Sequence, residues 1–466
     1  MLGFFRINDP FRLIAVVALI AVLSAIYLWV LELGQTQPEL MWMLLGERLA
    51  EGKTMYRDIL DNSGPLSAGT FWLIHLIFGK NIFAHKIIAL ALVMFQLSYL
   101  TVLFNRYRSF DENNYVPALV MALLFHASFD LISLSPALLG STFIVLGLGQ
   151  LFSQTVLQKE GTDSILLVGI FGGLAACFHF PLIFFLPYMI LVSIVVSGFS
   201  FSQLLLSLIG YLIPILGCGV YYFWFNGLQE FISQYLMNAF TGDSYRYVLL
   251  REIALLYGAP LFFTSIGVIY GAVFRSLTVN QQKQMQLMLI YLLFAIPSLF
   301  LSKSPTPNHL ITTLPAMTYF ICMLFISLKG GLVQQILFSI FFLLTPLVGY
   351  SWAYTKLDSG NIKGYTVDKS VQMPSAKDKK ILVLGNELGF YGNAKLGGPY
   401  LNYPMSKKIL ENTEDHQTMA EIYQSFVQEK PEIIIDEEGV FEGLMKRIPA
   451  LERSYEKSLE GWYVRK

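Results

Sequence analysis

The chain has 466 residues, 55% of them hydrophobic and only 14% charged, with a formal net charge of zero. Soluble domains carry about a quarter charged residues, so this composition excludes most soluble-enzyme classes, and the neutral balance gives no basic footprint for nucleic acid. Three cysteines, Cys177, Cys218 and Cys322, all fall in hydrophobic stretches, so no disulfide framework is implied and the redox compartment stays open.

Crossing a hydrocarbon layer of ~30 Å takes ~20 apolar residues, and about eleven stretches meet or approach that length. They are residues 12–33, 82–104, 115–134, 136–157, 165–179, 181–198, 204–225, 253–274, 285–301, 309–328 and 331–354. The first is too long for a signal-peptide core and lacks a small-residue cleavage site, so it reads as a retained span. Residues 66–78 are apolar but short, and read as a helix lying at the interface or dipping part-way in.

Basic residues near span ends set the orientation. Arg6, Arg12, Arg106, Arg108, Arg275, Lys283 and Lys329 all fall on the cytoplasmic side if the N-terminus is cytoplasmic. The predicted organisation is a polytopic membrane domain over residues 1–355, with outer loops at 34–81 and 226–252, and an extracytoplasmic α/β domain over 356–466. The first outer loop opens with Leu40, Met41, Leu44, Leu45 and Leu49 at helical spacing, a pattern that predicts an amphipathic helix resting on the membrane surface. The second has Phe231, Tyr235, Leu236 and Phe240 at similar spacing, then a polar run, 241–246, ending at Arg246. In the tail, 380–385 and 431–436 read as buried strands flanking a helix at 417–429, and that order predicts a parallel sheet. Gly385-Asn386-Glu387-Leu388-Gly389 lacks the dinucleotide fingerprint, so no nucleotide is inferred.

Carboxylates concentrate in the first outer loop: Glu32, Glu39, Glu47, Glu51, Asp58 and Asp61. A base that deprotonates a hydroxyl at the membrane surface must be a carboxylate or a histidine within hydrogen-bond reach. Glu39 is the most suggestive, although Thr36-Gln37-Pro38-Glu39 also fits a capping box, and one residue can serve both roles. Asp58 and Asp61 read either as a pair for a divalent cation or polar head group, or as turn residues before Gly64-Pro65. Asp130 and His179 fall near outer span ends, with His126 one turn before Asp130. Ionisable residues there face a cavity or partner, or sit at the wet interface. Lys303, His309, His179 and Arg246 could converge on one outer cavity, where cations suit a phosphate or pyrophosphate. Taken singly, each is an ordinary interfacial anchor. No zinc spacing, Walker motif or nucleophile elbow occurs, so no metal ligands are assigned.

Together these features resemble the GT-C membrane glycosyltransferases, particularly the protein mannosyltransferase and aminoarabinose transferase type. Residues 38–52 are similar to the family's Asp-Glu-x-x-Tyr-x-x-x-Ala-x-x-Leu-x-x-Gly. Tyr56-Arg57-Asp58, Gly64-Pro65-Leu66 and Leu76-Ile77-Phe78-Gly79 resemble its Tyr-Arg-Asp, Pro-Pro-Leu and Leu-Phe-Gly. His309-Leu310-Ile311 with Pro315 resembles its His-Tyr-Leu-Leu…Pro, and His179 falls where the family often has Lys or Arg. Pro38 stands at the position of the family's catalytic Asp, with Glu39 retained beside it.

The resemblance implies an α-helical polytopic GT-C-like fold in the inner membrane. It implies sugar transfer from a polyprenyl-phosphate donor to a lipid, glycan or protein acceptor on the outer face. The donor phosphate would be held by Arg246, Lys303, His309 and His179, with Asp130 at the same site, and Glu39, ahead of Asp58, would be the base. A phosphate leaving group needs cations more than a general acid, so one base and a basic pocket suffice. The alternative is a catalytically inactive scaffold or assembly component of envelope polysaccharide or secretion machinery. A transporter predicts internal repeats and midplane charges, and neither is seen.

Overall fold

A computed structural model describes residues 2–157, 162–238, 248–302, 305–328, 331–358, 365–412, 415–459 and 461–466. The chain divides into two compact units, one of Met1–Leu33, Phe83–Cys218 and Arg246–Ser359, the other of Gly34–Ile82, Gly219–Tyr245 and Gly360–Lys466. In chain order the principal helices before the tail are α1 (Arg12–Val30), α2 (Gln37–Ala50), α3 (Pro65–Phe78), α4 (Ile82–Arg106), α5 (Val116–Phe125), α6 (Pro136–Leu157) and α7 (Thr162–Phe178). They continue as α8 (Phe180–Ser197), α9 (Phe201–Trp224), α10 (Leu250–Phe274), α11 (Val279–Leu301), α12 (Pro307–Ser327) and α13 (Leu332–Asp358).

Among the described residues, nine helices are long and apolar enough to cross a membrane, and the protein is an integral membrane protein. Two expected spans differ. Residues 115–134 yield only the ten-residue α5, which stops at His126 and is followed by a tight turn at Phe129–Ile132. At 1.5 Å per residue α5 reaches about 15 Å, half the hydrocarbon depth. All ten of its residues are buried, and non-helical backbone is tolerated at membrane depth only where protein surrounds it. Residues 165–179 give the seventeen-residue α7.

Helices α10 and α12 run parallel, because Tyr257 donates to Pro307 O (3.4 Å) near their starts and Tyr270 to Ser327 O (3.5 Å) near their ends. The basic loops gather where these helices end. Arg6 donates to Phe325 O (2.9 Å) and Ile326 O (2.7 Å), Arg275 pairs with Asp111 (2.6 Å), and Gln281 in the first turn of α11 donates to Arg108 O (3.3 Å). Lys329 lies outside the described residues. At the opposite end of this unit, Glu252 pairs with Lys356 (2.5 Å) and Asp130 meets Asn308.

In the second unit the tail carries strands β1 (Lys380–Leu384), β2 (Lys395–Leu396), β3 (Ile433–Asp436), β4 (Tyr455–Leu459) and β5 (Trp462–Arg465), in the order β2-β1-β3-β5-β4. β1 is parallel to β3 in the register Ile381↔Ile433 to Leu384↔Asp436, and β5 closes antiparallel on β3. Helices α14 (Tyr403–Glu411), α15 (His416–Glu429), α16 (Val440–Arg447) and α17 (Pro449–Ser454) complete it. Leu382, Ile434, Phe426, Phe441 and Tyr463 form its core.

The α2 helix corrects an expectation. Its apolar stripe forms a helix as read, but Leu44 and Leu45 are fully buried in protein and Arg48 is only 1% exposed, so it does not rest on a membrane surface. One side packs on α3, where a Cβ at Gly46 would lie 2.5 Å from Phe71 O and Trp42 stacks on Phe71 at 5.8 Å. Its polar side meets the tail. Arg48 donates to Glu429 (2.7 Å), and Gln37 exchanges bonds with Glu387 (2.8 Å) and Leu388 N (2.9 Å). Charges that look like a solvated face in sequence have partners about 380 residues away in sequence.

Candidate functional site

In the helical unit the structure brings His179 and His309 together. His179 sits between α7 and α8, and His309 lies in the first turn of α12, just after Pro307. Their rings stack with centroids 4.9 Å apart, and His309 Nδ1 lies 3.1 Å from His179 Nε2. His309 Nε2 lies 2.8 Å from Ser302 Oγ. Two imidazole nitrogens at this distance share one N–H between them, and Ser302 extends the hydrogen-bonded chain through His309 to His179.

Asp130 binds the backbone beside His309. It is 1% exposed, accepts from Ser128 Oγ at 2.6 Å, and accepts the backbone N–H of Asn308 at 2.9 Å, beside His309. His126 bonds Ala122 O (2.7 Å) and Ser24 Oγ (3.1 Å), closing the end of α5. Arg246 and Lys303, the cations expected to join the histidines, lie outside the described residues.

Next to the histidines is a small apolar cavity of about 20 Å³, lined by Ile144, Leu182, Phe185, Tyr188, Tyr291 and Thr312 among others. It is large enough for one water molecule. The Tyr188 hydroxyl is buried without a hydrogen-bond partner, while Tyr291 donates to Thr312 O. Sequence reading missed Ser302, Tyr188 and Tyr291. A serine seven residues before a histidine, or a tyrosine among phenylalanines in a span, carries no local signal.

The first-loop carboxylates belong to the second unit. Glu39 is 3% exposed and completes the capping box: its carboxylate accepts from Thr36 N at 2.9 Å, and its own N–H donates to Thr36 Oγ1 at 3.2 Å. The tail pins both sides of this cap, through Gln37 N to Tyr365 O and Val367 N to Gln35 O, each 2.8 Å. Asp58 is more open, its side chain 26% exposed. Partial burial works against its charge, but the Arg57 guanidinium at 2.8 Å and the Thr54 N–H outweigh this and hold the carboxyl below its ordinary range. The preceding Tyr56 has φ 67°, strained for an aromatic residue. Tyr222, Phe231 and Tyr235 hold its ring, and Gln234 donates to its carbonyl at 2.8 Å.

Asp61 is fully buried, a turn residue that accepts from Ser63 N (3.1 Å) and Asn402 Nδ2 (3.2 Å), and burial raises its carboxyl above the ordinary value. The two carboxylates considered together for a cation are thus engaged separately. Glu47 pairs with Lys80, and Glu51 with Arg48. Among the described residues, no three His, Cys, Asp or Glu side chains form a group that could hold a metal ion.

Neither a family model nor a curated protein matches this sequence. Solved structures do match. ArnT from Cupriavidus metallidurans, solved bound to undecaprenyl phosphate, is similar over 94% of this chain and 95% of its own, with TM-score 0.57 and 9% identity. The oligosaccharyltransferase of Archaeoglobus fulgidus, solved in its apo form, is similar over 96% of this chain and 73% of its own, with TM-score 0.50 and 11% identity. At such identities the likeness is one of fold. The chain is a membrane protein with the fold of these two structures.

Proposed function

We propose that this protein is a membrane glycosyltransferase that takes a sugar from a polyprenyl-phosphate donor and transfers it on the outer face of a bacterial inner membrane. The observation that carries the reading is the end-to-end likeness in fold to ArnT, a structure holding undecaprenyl phosphate. The contact between His179 and His309 supports it, since imidazole N–H groups can donate to the oxygens of a leaving phosphate. Lys303 and Arg246 would add permanent charge to the same phosphate, and Asp130 would position His309. Asp58, partly exposed on a strained loop, is the stronger candidate for the base, ahead of the capped Glu39. The acceptor is a lipid, glycan or protein hydroxyl.

The test is binding followed by turnover. The purified protein in nanodiscs should retain undecaprenyl phosphate in native mass spectrometry, and His179→Ala with His309→Ala should weaken that retention at least about tenfold, the loss of one charge-assisted contact. No retention by the unsubstituted protein overturns the reading. One observation favours a second reading: the Glu39 carboxylate is taken up by its cap. A non-catalytic scaffold would bind the lipid and transfer nothing from any polyprenyl-phosphate sugar supplied.

A further inference from the structure

Helices α7 and α9 meet along a seam of small residues. A Cβ at Gly169 would lie 1.9 Å from Ser207 O, and one at Gly173 would lie 2.2 Å from Tyr211 O and 3.1 Å from Pro214 Cδ. From the other helix, a Cβ at Gly210 would lie 2.5 Å from Leu166 O. The contacts advance together along both chains, so the helices are parallel, with backbones touching. Gly169 and Gly173 are one turn apart, and the next position on that face of α7 is Cys177. On α9 the facing positions Ser207, Tyr211 and Pro214 lead, one turn on, to Cys218. The two thiols are direct side-chain partners, and they are 2% and 8% exposed. Cys322 lies in α12 and is fully buried.

We infer that Cys177 and Cys218 are a redox modification site, a dithiol that closes to a disulfide linking α7 to α9. Bridging requires Cα atoms about 4.4–6.8 Å apart, and the seam, on which only glycine fits, holds the two backbones in contact one turn before the cysteines. The oxidant is a small apolar disulfide able to enter the membrane. One cysteine thiolate attacks it, forming a mixed disulfide and expelling one thiolate. The second cysteine thiolate then attacks the protein sulfur of that mixed disulfide and expels the other thiolate. Two protein thiols are oxidised, the reagent's S–S bond is reduced to two thiols, and the two protons pass to them. The crosslink would fasten the end of α7 two residues before His179. It stands independently of the glycosyltransferase reading.

The experiment uses the full-length C322S protein in detergent, treated with 4,4′-dithiodipyridine, denatured, labelled with maleimide and weighed intact. The expected product is monomeric, takes no maleimide, carries no pyridylthio adduct and has lost the mass of two hydrogens. Dithiothreitol should restore both labels. Cys177→Ser and Cys218→Ser should each leave a single adduct or a single free thiol. Two adducts on the C322S protein, two free thiols, or a crosslink between chains would each overturn the inference. Because C322S retains the pair and the seam, loss of the crosslink cannot be assigned to a missing partner.

Discussion

At the residue scale, two carboxylates make separable predictions. Glu39 caps α2, so Glu39→Ala should lower thermal stability by about 1 kcal/mol, while Glu39→Gln should cost less, because an amide oxygen can still accept from Thr36 N. Asp58→Asn removes the charge that Arg57 balances on an exposed edge and should change stability little. If Asp58 is the base, the same substitution should lower transfer about 10²–10⁴-fold, and an in vitro assay with a polyprenyl-phosphate sugar measures it. A third residue sets a pH limit. Burial works against the Glu429 charge, but Arg48 and Lys53 prevail and hold its carboxyl down to about 2. A depressed carboxyl stabilises the folded state fully above its unfolded value near 4.3, and that contribution drains as pH falls from there toward 2. Hydrogen exchange in α2 should accelerate over that window, and Glu429→Gln should remove the acid dependence while weakening the attachment at neutral pH.

At the element scale, close backbone approach is the strictest requirement in the helical unit. Gly169→Val would put side-chain carbon where Ser207 O already sits, and neither backbone can yield without separating α7 from α9. The expected cost is at least about 2 kcal/mol, seen as a lower melting temperature in detergent. Gly217, with open space around it, should tolerate alanine. Helix α2 shows what periodicity reveals and what it leaves out. Leu40, Leu44 and Leu45 announce an amphipathic helix, but Arg48 and Gln37 find their partners in the tail, and a pattern within one segment cannot show a partner hundreds of residues away. Helix α5 shows the converse: its apolar stretch reads as a span, yet it ends after ten residues where His126 turns the chain.

At the scale of the whole molecule, residues 34–82 and the tail belong to one folded unit with shared core and ion pairs. Removing residues 360–466 should therefore expose α2, and limited proteolysis should cut within 34–82 in the truncated protein and spare it in the intact one. A C-terminal alkaline phosphatase fusion should be active, because Arg6 and Arg275 gather at the end of the helical unit where α10 and α12 stop, and the next span, α13, leads away from that end to the tail.

Membrane character, most of the spans, the capping box at Thr36, the strand-helix-strand core of the tail and the GT-C resemblance were all decided by local features: runs of apolar residues, spacing, and short motifs in order. These depend on a window of a few to about twenty residues, so one sequence suffices. Only the tertiary structure decided that His179 and His309 touch, that Asp130 serves the backbone beside His309, that α2 is buried between α3 and the tail, and that Cys177 faces Cys218. Each of those contacts joins residues from different spans or different units of sequence. Their formation depends on which helices lie side by side, and backbone approach and partner geometry, not local periodicity, fix that arrangement.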